Sequence, residues 1–295
     1  VSLVPDLRSR LGHALFLRVA GPDGDRHRSR IHDTPGPRWF ADDRPIRQVH
    51  GDASMFIGGL RALMLQSLHP QTMAGFAAHS GYRADPWDRI ARTSRFVAVT
   101  TYGTADDAQA AVDRVRVVHA HVRGTTPGGV AYDARDPRLM TWVHVAEVDS
   151  FLRAFQTYGA APLDQDGRDA YVADTARVAR ALGIADPPAT EEELADVLAG
   201  FRPELRGTPE ARAAVRFVIW TPPLSVLARP GYGAVAAGAI GSLPAWARRE
   251  LGLLPPVVSD AAITQALGAA LGSAATATIR WALGPPERRR PAKVA

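Results

Sequence analysis

Apolar positions recur at intervals of three and four residues through most of the chain, the spacing of helices that bury one face. Residues 53–68 (ASMFIGGLRALMLQSL) are apolar nearly all round, as a central buried helix must be. Asp52 stands where a cap is wanted, and Pro70 ends the run by pushing His69 out of the helical region. Asp85-Pro86 and Asp136-Pro137 read as helix starts, with aspartate as cap and proline as first residue. The second of these predicts a helix through Phe155. Thr190 and Glu193 form a capping box for 191–201. Amphipathic spacing predicts a helix over 166–182, and others near 208–220, 232–250 and 259–283. Only Phe96–Thr101 looks strand-like, and it continues the helix from Pro86, so it is read as that helix's end. Residues 21–50, rich in Gly, Pro, Asp and Arg, read as a surface arm or loop. No internal repeat is present. The pattern predicts an all-α fold: a single-domain helical bundle over 46–285, an arm over 1–45, a basic tail over 286–295 and a looser C-terminal third.

Three helical faces carry residues suited to chemistry. Over 105–123, His119 shares a face with Val112, Val115 and Val122, while His121 points the other way with Asp107 and Arg114. His144 shares a face with Met140, Val148, Phe151 and Phe155, and Trp142 is close in sequence. On the helix from Pro86, Arg89, Arg92, Thr93, Phe96 and Thr100 align, and Ile90, Val97 and Val99 imply that the helix is largely covered. Arginine and threonine on a covered face suit a pocket for an anion or bound oxygen. Arg61, inside the apolar run, requires an anionic partner: an Asp, a Glu or a cofactor carboxylate. A histidine on an apolar face is either a hydrogen-bonded core residue or a ligand for a buried metal or haem.

Composition narrows the classes. The 295 residues, 46% of them hydrophobic, suffice for one large domain or two small ones. No cysteine is present, which removes thiolate nucleophiles, Cys-type metal sites, disulfides and covalent c-type haem. The only lysine is Lys293, which excludes a buried Schiff-base lysine and a P-loop. The net charge of +5 rests on arginines that are scattered rather than striped, with Ala, Gly and Pro in parallel excess. That matches a GC-rich genome better than a nucleic-acid surface, and Arg288, Arg289 and Arg290 read as a solvated tail. The small-apolar stretch from Gly233 to Leu243 is too short to span a bilayer, although it can touch one. With no signal-like N-terminal segment, the expected location is cytoplasmic; oligomeric state is left unspecified. Gly231-Tyr-Gly233-Ala-Val-Ala236 fits a dinucleotide fingerprint, but too little chain follows for such a domain, and a small-residue helix contact explains it better. Neither G-x-S-x-G nor H-E-x-x-H occurs.

The series GDASMFIGGLRALMLQSLHP, HSGYRADPWDRIARTSRFVAVTTYGT, VRVVHAHVRG, YDARDPRLMTWVHVAEVDSFLRAFQTYG and FRPEL resembles the MpaB-type oxygenases (the DUF2236 family), which include the latex-clearing rubber oxygenases. The likeness runs over roughly 45–285. It implies a globin-like helical core, a b-type haem and chemistry with dioxygen on a small apolar organic substrate. The rubber branch carries R-x-x-K-T on the oxygen side, which maps to Arg89, Arg92 and Thr93. Its proximal histidine maps to His119, with His144 as the alternative ligand. Arg61 or Arg47 would pair with haem propionates, and Phe96 and Trp142 would line the pocket. Two departures argue against rubber as substrate: Arg92 replaces a lysine and cannot ligate iron, and residues 71–79 lack the acidic residue of that branch. Two other readings stand beside this one. The first is a non-haem di-metal oxidase, for which His144 and Glu147 have the right spacing but lack a second pair. The second is a non-catalytic helical binding protein.

Overall fold

The computed structural model describes residues 3–81, 84–253 and 261–284. Local signals set most helix starts. Asp85 accepts from the amide of Asp88 at 2.9 Å to open α6 (Pro86–Tyr102), and Asp136 accepts from that of Arg138 at 2.8 Å to open α8 (Pro137–Tyr158). Thr190 accepts from the Glu193 amide at 3.1 Å, and the Glu193 carboxylate accepts from Ala189, so α10 (Glu191–Gly200) has a reciprocal cap. Asp52 does not cap α4 (Met55–Gln66). Its carboxylate accepts from the Ser54 amide and pairs with Arg280 at 3.0 Å, because the chain turns once more before the helix begins. Between these lie α5 (Pro70–His79), α7 (Ala105–His119) and α9 (Gln165–Leu182), and α11 (Pro209–Trp220) follows. Phe96–Thr101 is indeed the end of α6.

The core forms where α4 and α8 run antiparallel. Trp142 donates to the Gln66 carbonyl at one end, and Gly58 lies against Phe151 at the other, where a Cβ would come within 3.0 Å of the ring. Ile57, Met64, Val145, Leu152 and Phe201 are fully buried around this seam.

Residues 21–50 are not a loop. They contain α2 (Gly24–Asp33) and α3 (Pro45–Gly51), and Ile46 and Val49 are fully buried. Their Gly, Pro and Asp residues mark the borders of short helices, and Arg44 fixes α3 to α9 through Asp174 at 2.5 Å. Before them α1 (Leu3–Ala20) packs on α6 and on α14 (Ala261–Leu283). A short antiparallel hairpin, Arg123–Thr125 with Ala131–Asp133, was not anticipated; turn chemistry around Gly128 and Gly129 makes it.

The C-terminal third is tightly joined rather than loose. The helix expected over 232–250 breaks before Pro244 into α12 (Arg229–Ser242) and α13 (Ala245–Leu251). α12 then meets α14 backbone to backbone: a Cβ on Gly238 would come within 2.9 Å of the Gly272 Cα, and one on Gly268 within 2.8 Å of the Gly241 Cα. The small-residue contact is real, but Gly231 and Gly233 take no part, since nothing lies within 4 Å of their Cβ positions. Residues 259 and 260 and the basic tail lie outside the described residues. Among the described residues no helix is long and apolar enough to cross a membrane.

Candidate active site

His144, Glu147 and Phe151 follow one another at three and four residues on one face of α8. His144 Nε2 is enclosed and meets no hydrogen-bond partner among the described residues, and burial draws the imidazole down to about 4. It is therefore neutral at physiological pH. Glu147 lies in the apolar run Val145-Ala146-Glu147-Val148, and burial pushes its carboxyl up to about 7. No described residue hydrogen-bonds to it or pairs with it. Both side chains nonetheless keep part of their surface.

His144 and Glu147 both lie along the seam between α4 and α8. Arg61 pairs with Asp149 on one side of it, and Gln66 donates to the Val143 carbonyl on the other. By helical angle, Gly59 and Leu63 fall on the Gln66 side, as do Glu147 and His144. A Cβ on Gly59 would meet nothing within 4 Å, although neighbouring Gly58 and Leu60 are packed.

A second wall comes from α3, α6 and α9. His50 Nδ1 lies 2.8 Å from Thr101 Oγ1 and its Nε2 lies 3.2 Å from the Tyr171 hydroxyl, with the ring edge-on to Phe151 at 5.5 Å. Burial holds this imidazole down at about 3, so one ring nitrogen donates and the other accepts. Buried Thr101 needs an acceptor for its own proton, and Nδ1 is the one it has. Nε2–H then donates to Tyr171. The Tyr171 hydroxyl is raised well above its usual value by burial and then by Glu147, which places the two groups in electrostatic reach.

α6 supplies Arg89. Its guanidinium lies 4.0 Å over the Phe76 ring, its Nε is enclosed without a hydrogen-bond partner, and burial, then Arg92, lower it to about 10. It stays a cation at neutral pH. Arg92 and Thr93 are exposed instead, with Arg92 paired to Asp88 at 3.1 Å, and Phe96 is half-buried. The expected Arg89, Arg92 and Thr93 set is thus divided, and Arg89 alone reaches the interior.

His119 is the last residue of α7, half-buried beside a cleft shared with Met140, Leu182 and Arg135. Burial lowers its pKa, and Asp133 opposes that. Met140 is one turn before His144, so the two histidines approach the same end of α8. His121 is exposed, as expected, with Nδ1 on the Val117 carbonyl.

Three expected cofactor contacts are committed elsewhere. Arg61 is buried with Nη1 on Asp149 and Ser150, each at 2.7 Å, and Nε on the Ser242 carbonyl, so its anionic partner is a protein carboxylate. Arg47 pairs with Asp42 at 2.6 Å and stacks on Tyr102. Trp142 is wholly buried against Phe201, around α8 from His144, and is core rather than pocket wall. Conversely, sequence reading missed His50, Thr101 and Tyr171 and gave Glu147 only a metal-bundle role. Glu147 had a visible signal, a charge inside an apolar run; the other three had none.

The family description "ER-bound oxygenase mpaB/B'/Rubber oxygenase, catalytic domain" matches residues 47–276. The chain belongs to this family. Its oxygenase domain runs from α3 to within α14, so it contains every wall described above, and α1 and α2 precede it. Among curated proteins the chain is similar to the uncharacterized proteins Mb2261 of Mycobacterium bovis and Rv2237 of Mycobacterium tuberculosis. Each is 32% identical over 158 residues, 49% of this chain and 59% of the relative. No solved structure matches it. The chain spans about three fifths of the length of these curated relatives, and the family domain it contains is described as an oxygenase catalytic domain.

Proposed function

We propose that this protein is a haem-b-dependent oxygenase that uses dioxygen on an apolar small molecule of isoprenoid or aromatic type. The observation that carries the reading is that His144 Nε2 and Arg89 Nε, two of several enclosed polar atoms without a hydrogen-bond partner among the described residues, belong to side chains the family domain places on α8 and α6. A haem asks for a neutral imidazole for its iron and for cations near its carboxylates, and the residues present fit. His119 and His144 are both disfavoured as cations by burial, and Arg89 keeps its charge with a donor unused. His119, by its place in the family motif, would hold the iron. His144 would line the same space, and Arg89 would face the developing negative charge or a propionate. Arg92, Thr93 and Phe96 would border the approach along α6. When bound, the haem supplies the iron at which dioxygen is activated.

The protein's own residues prepare the space. Glu147 holds a proton on its carboxyl up to about pH 7. His50 fixes the Tyr171 hydroxyl, whose proton is left to point away from the imidazole. Gly59, Leu63 and Phe151 present apolar or empty surface, which suits a substrate without charge.

Absorption spectroscopy tests this reading directly. The protein should show a Soret band as purified or after addition of haem b, and acid–acetone should extract all the haem, since no cysteine exists to form a thioether. A colourless protein that takes up no haem would sink it. His119→Ala should lose haem, or show a spectrum restored by imidazole, while His144→Ala should retain it. The reverse pattern transfers the ligand role to His144.

A further inference from the structure

Residues 221–228, between α11 and α12, hold apolar side chains out into solvent. Leu227 is 94% exposed, Val226 74% and Trp220, at the end of α11, 71%. This is a fixed projection. The Pro223 carbonyl accepts from Arg18 Nη2 at 3.0 Å and from Trp87 Nε1 at 3.1 Å, and Arg18 itself lies 4.4 Å over the Trp87 ring. Across the root of the loop, the Tyr232 hydroxyl donates to the Val218 carbonyl at 2.7 Å. The tip is therefore held in a position that leaves the Val226 and Leu227 side chains largely in water, a cost that needs a counterpart.

Charge indicates which counterpart. From Ala211 to Arg249 the chain has arginines and no aspartate or glutamate. Arg216 and Arg229 are exposed on either side of the apolar tip, and Arg18 is exposed at its root. Asp85 and Asp88, close in sequence to the Trp87 that holds Pro223, are engaged as the cap of α6 and with Arg92. An apolar tip, a tryptophan at its base and flanking arginines match the layers of a bilayer surface: acyl boundary, headgroup level and lipid phosphate. A cleft lined by Ala213, Arg216, Phe217, Trp220 and Thr221 lies at the base of the tip, but Val226 and Leu227 stand outside it, exposed beside arginines, as insertion into an anionic surface requires.

We propose that residues 220–229 dock the protein on an anionic lipid bilayer, with Val226 and Leu227 inserted and Arg216 and Arg229 on the headgroup phosphates. This surface acts whether or not a haem is bound.

Flotation of the full chain with phosphatidylcholine vesicles, with and without about one third phosphatidylglycerol, tests it. The protein should float with the anionic vesicles and largely be released at high salt, because the arginine contribution is screened. Val226→Glu with Leu227→Glu should lower the bound fraction about tenfold or more. Arg216→Ala with Arg229→Ala should remove the preference for anionic over neutral vesicles. All four side chains are exposed, so unchanged melting curves are expected. Failure of the unmodified chain to float, or equal flotation of the glutamate variant, overturns the proposal. So does a dimer in size-exclusion chromatography that the glutamate variant dissociates, since the tip is then an interface between copies of this chain.

Discussion

Glu147 couples this fold to pH directly. Its carboxyl is pushed from 4.5 to about 7 by burial, so the folded state favours the protonated form. Below pH 4.5 both states hold the proton and nothing is lost. Above it the unfolded chain ionises while the folded one does not, and stability falls until the folded group titrates near 7. The full loss is about 3 kcal/mol. His50 and His144 act oppositely, since their depressed values remove stability as pH falls below 6.5. In cofactor-free protein, Glu147→Gln should gain stability relative to the parent by about 3 kcal/mol between pH 4 and pH 8, read from urea midpoints. A pH-independent difference would show that Glu147 is solvated. Arg61 is the matching case among cations. Arg61→Met leaves Asp149 only the half-exposed Arg153 at 3.4 Å and should cost about 3 kcal/mol, while haem uptake by the folded fraction is unchanged. Loss of haem at unchanged stability would restore Arg61 as a cofactor contact. In sequence, Arg61 and Glu147 gave one signal, a charge in an apolar run. It told that each needed compensation, and could not tell that Arg61 finds Asp149 while Glu147 finds none.

Helices with caps in their own sequence were legible because a cap is satisfied within four residues. Asp85, Asp136 and Thr190 needed only the amides that follow them. The short helices α2 and α3 were not, because their stability comes from burying Ile31, Ile46 and Val49 against distant elements. Glycine separates the two kinds of information most clearly. Gly231 and Gly238 both sit in α12 and look alike in sequence. Gly231→Ala should stabilise by about 0.5–1 kcal/mol through helix propensity alone, as its Cβ would meet nothing. Gly238→Ala should cost about 1–3 kcal/mol, since its Cβ would enter the Gly272 backbone. Thermal or urea denaturation of the two variants checks this, and equal effects would show that α12 and α14 part easily.

For the whole molecule, the family domain begins at Arg47 and ends at Thr276, so α1 and α2 are additions that pack on its flank through α6 and α14. The contact of α1 with α14 is specific: Arg8 donates to the Trp281 carbonyl at 2.7 Å, and Gly12 lies against the Ala282 carbonyl. Gly12→Leu should lower the melting temperature while leaving the Soret band of haem-loaded protein intact, because α14 meets α8 at its Tyr158 end, away from His144. A proportionate loss of haem would mean that the flank closes the site.

The sequence by itself determined the all-α class, the caps, the exclusion of thiolate and lysine chemistry, and a family likeness carried by motifs from Gly51 to Leu205. All of these rest on neighbours in the chain or on the presence of a residue type. Only the tertiary structure decided which polar residues share an interior. It enclosed Arg89 while exposing Arg92 and Thr93, gave Arg61 and Arg47 carboxylate partners, buried Trp142 against Phe201, and gathered Thr101, Tyr171 and Phe151 around His50. Those outcomes depend on how α3, α6, α8 and α9 cross, and burial at a crossing is set by elements far apart in sequence.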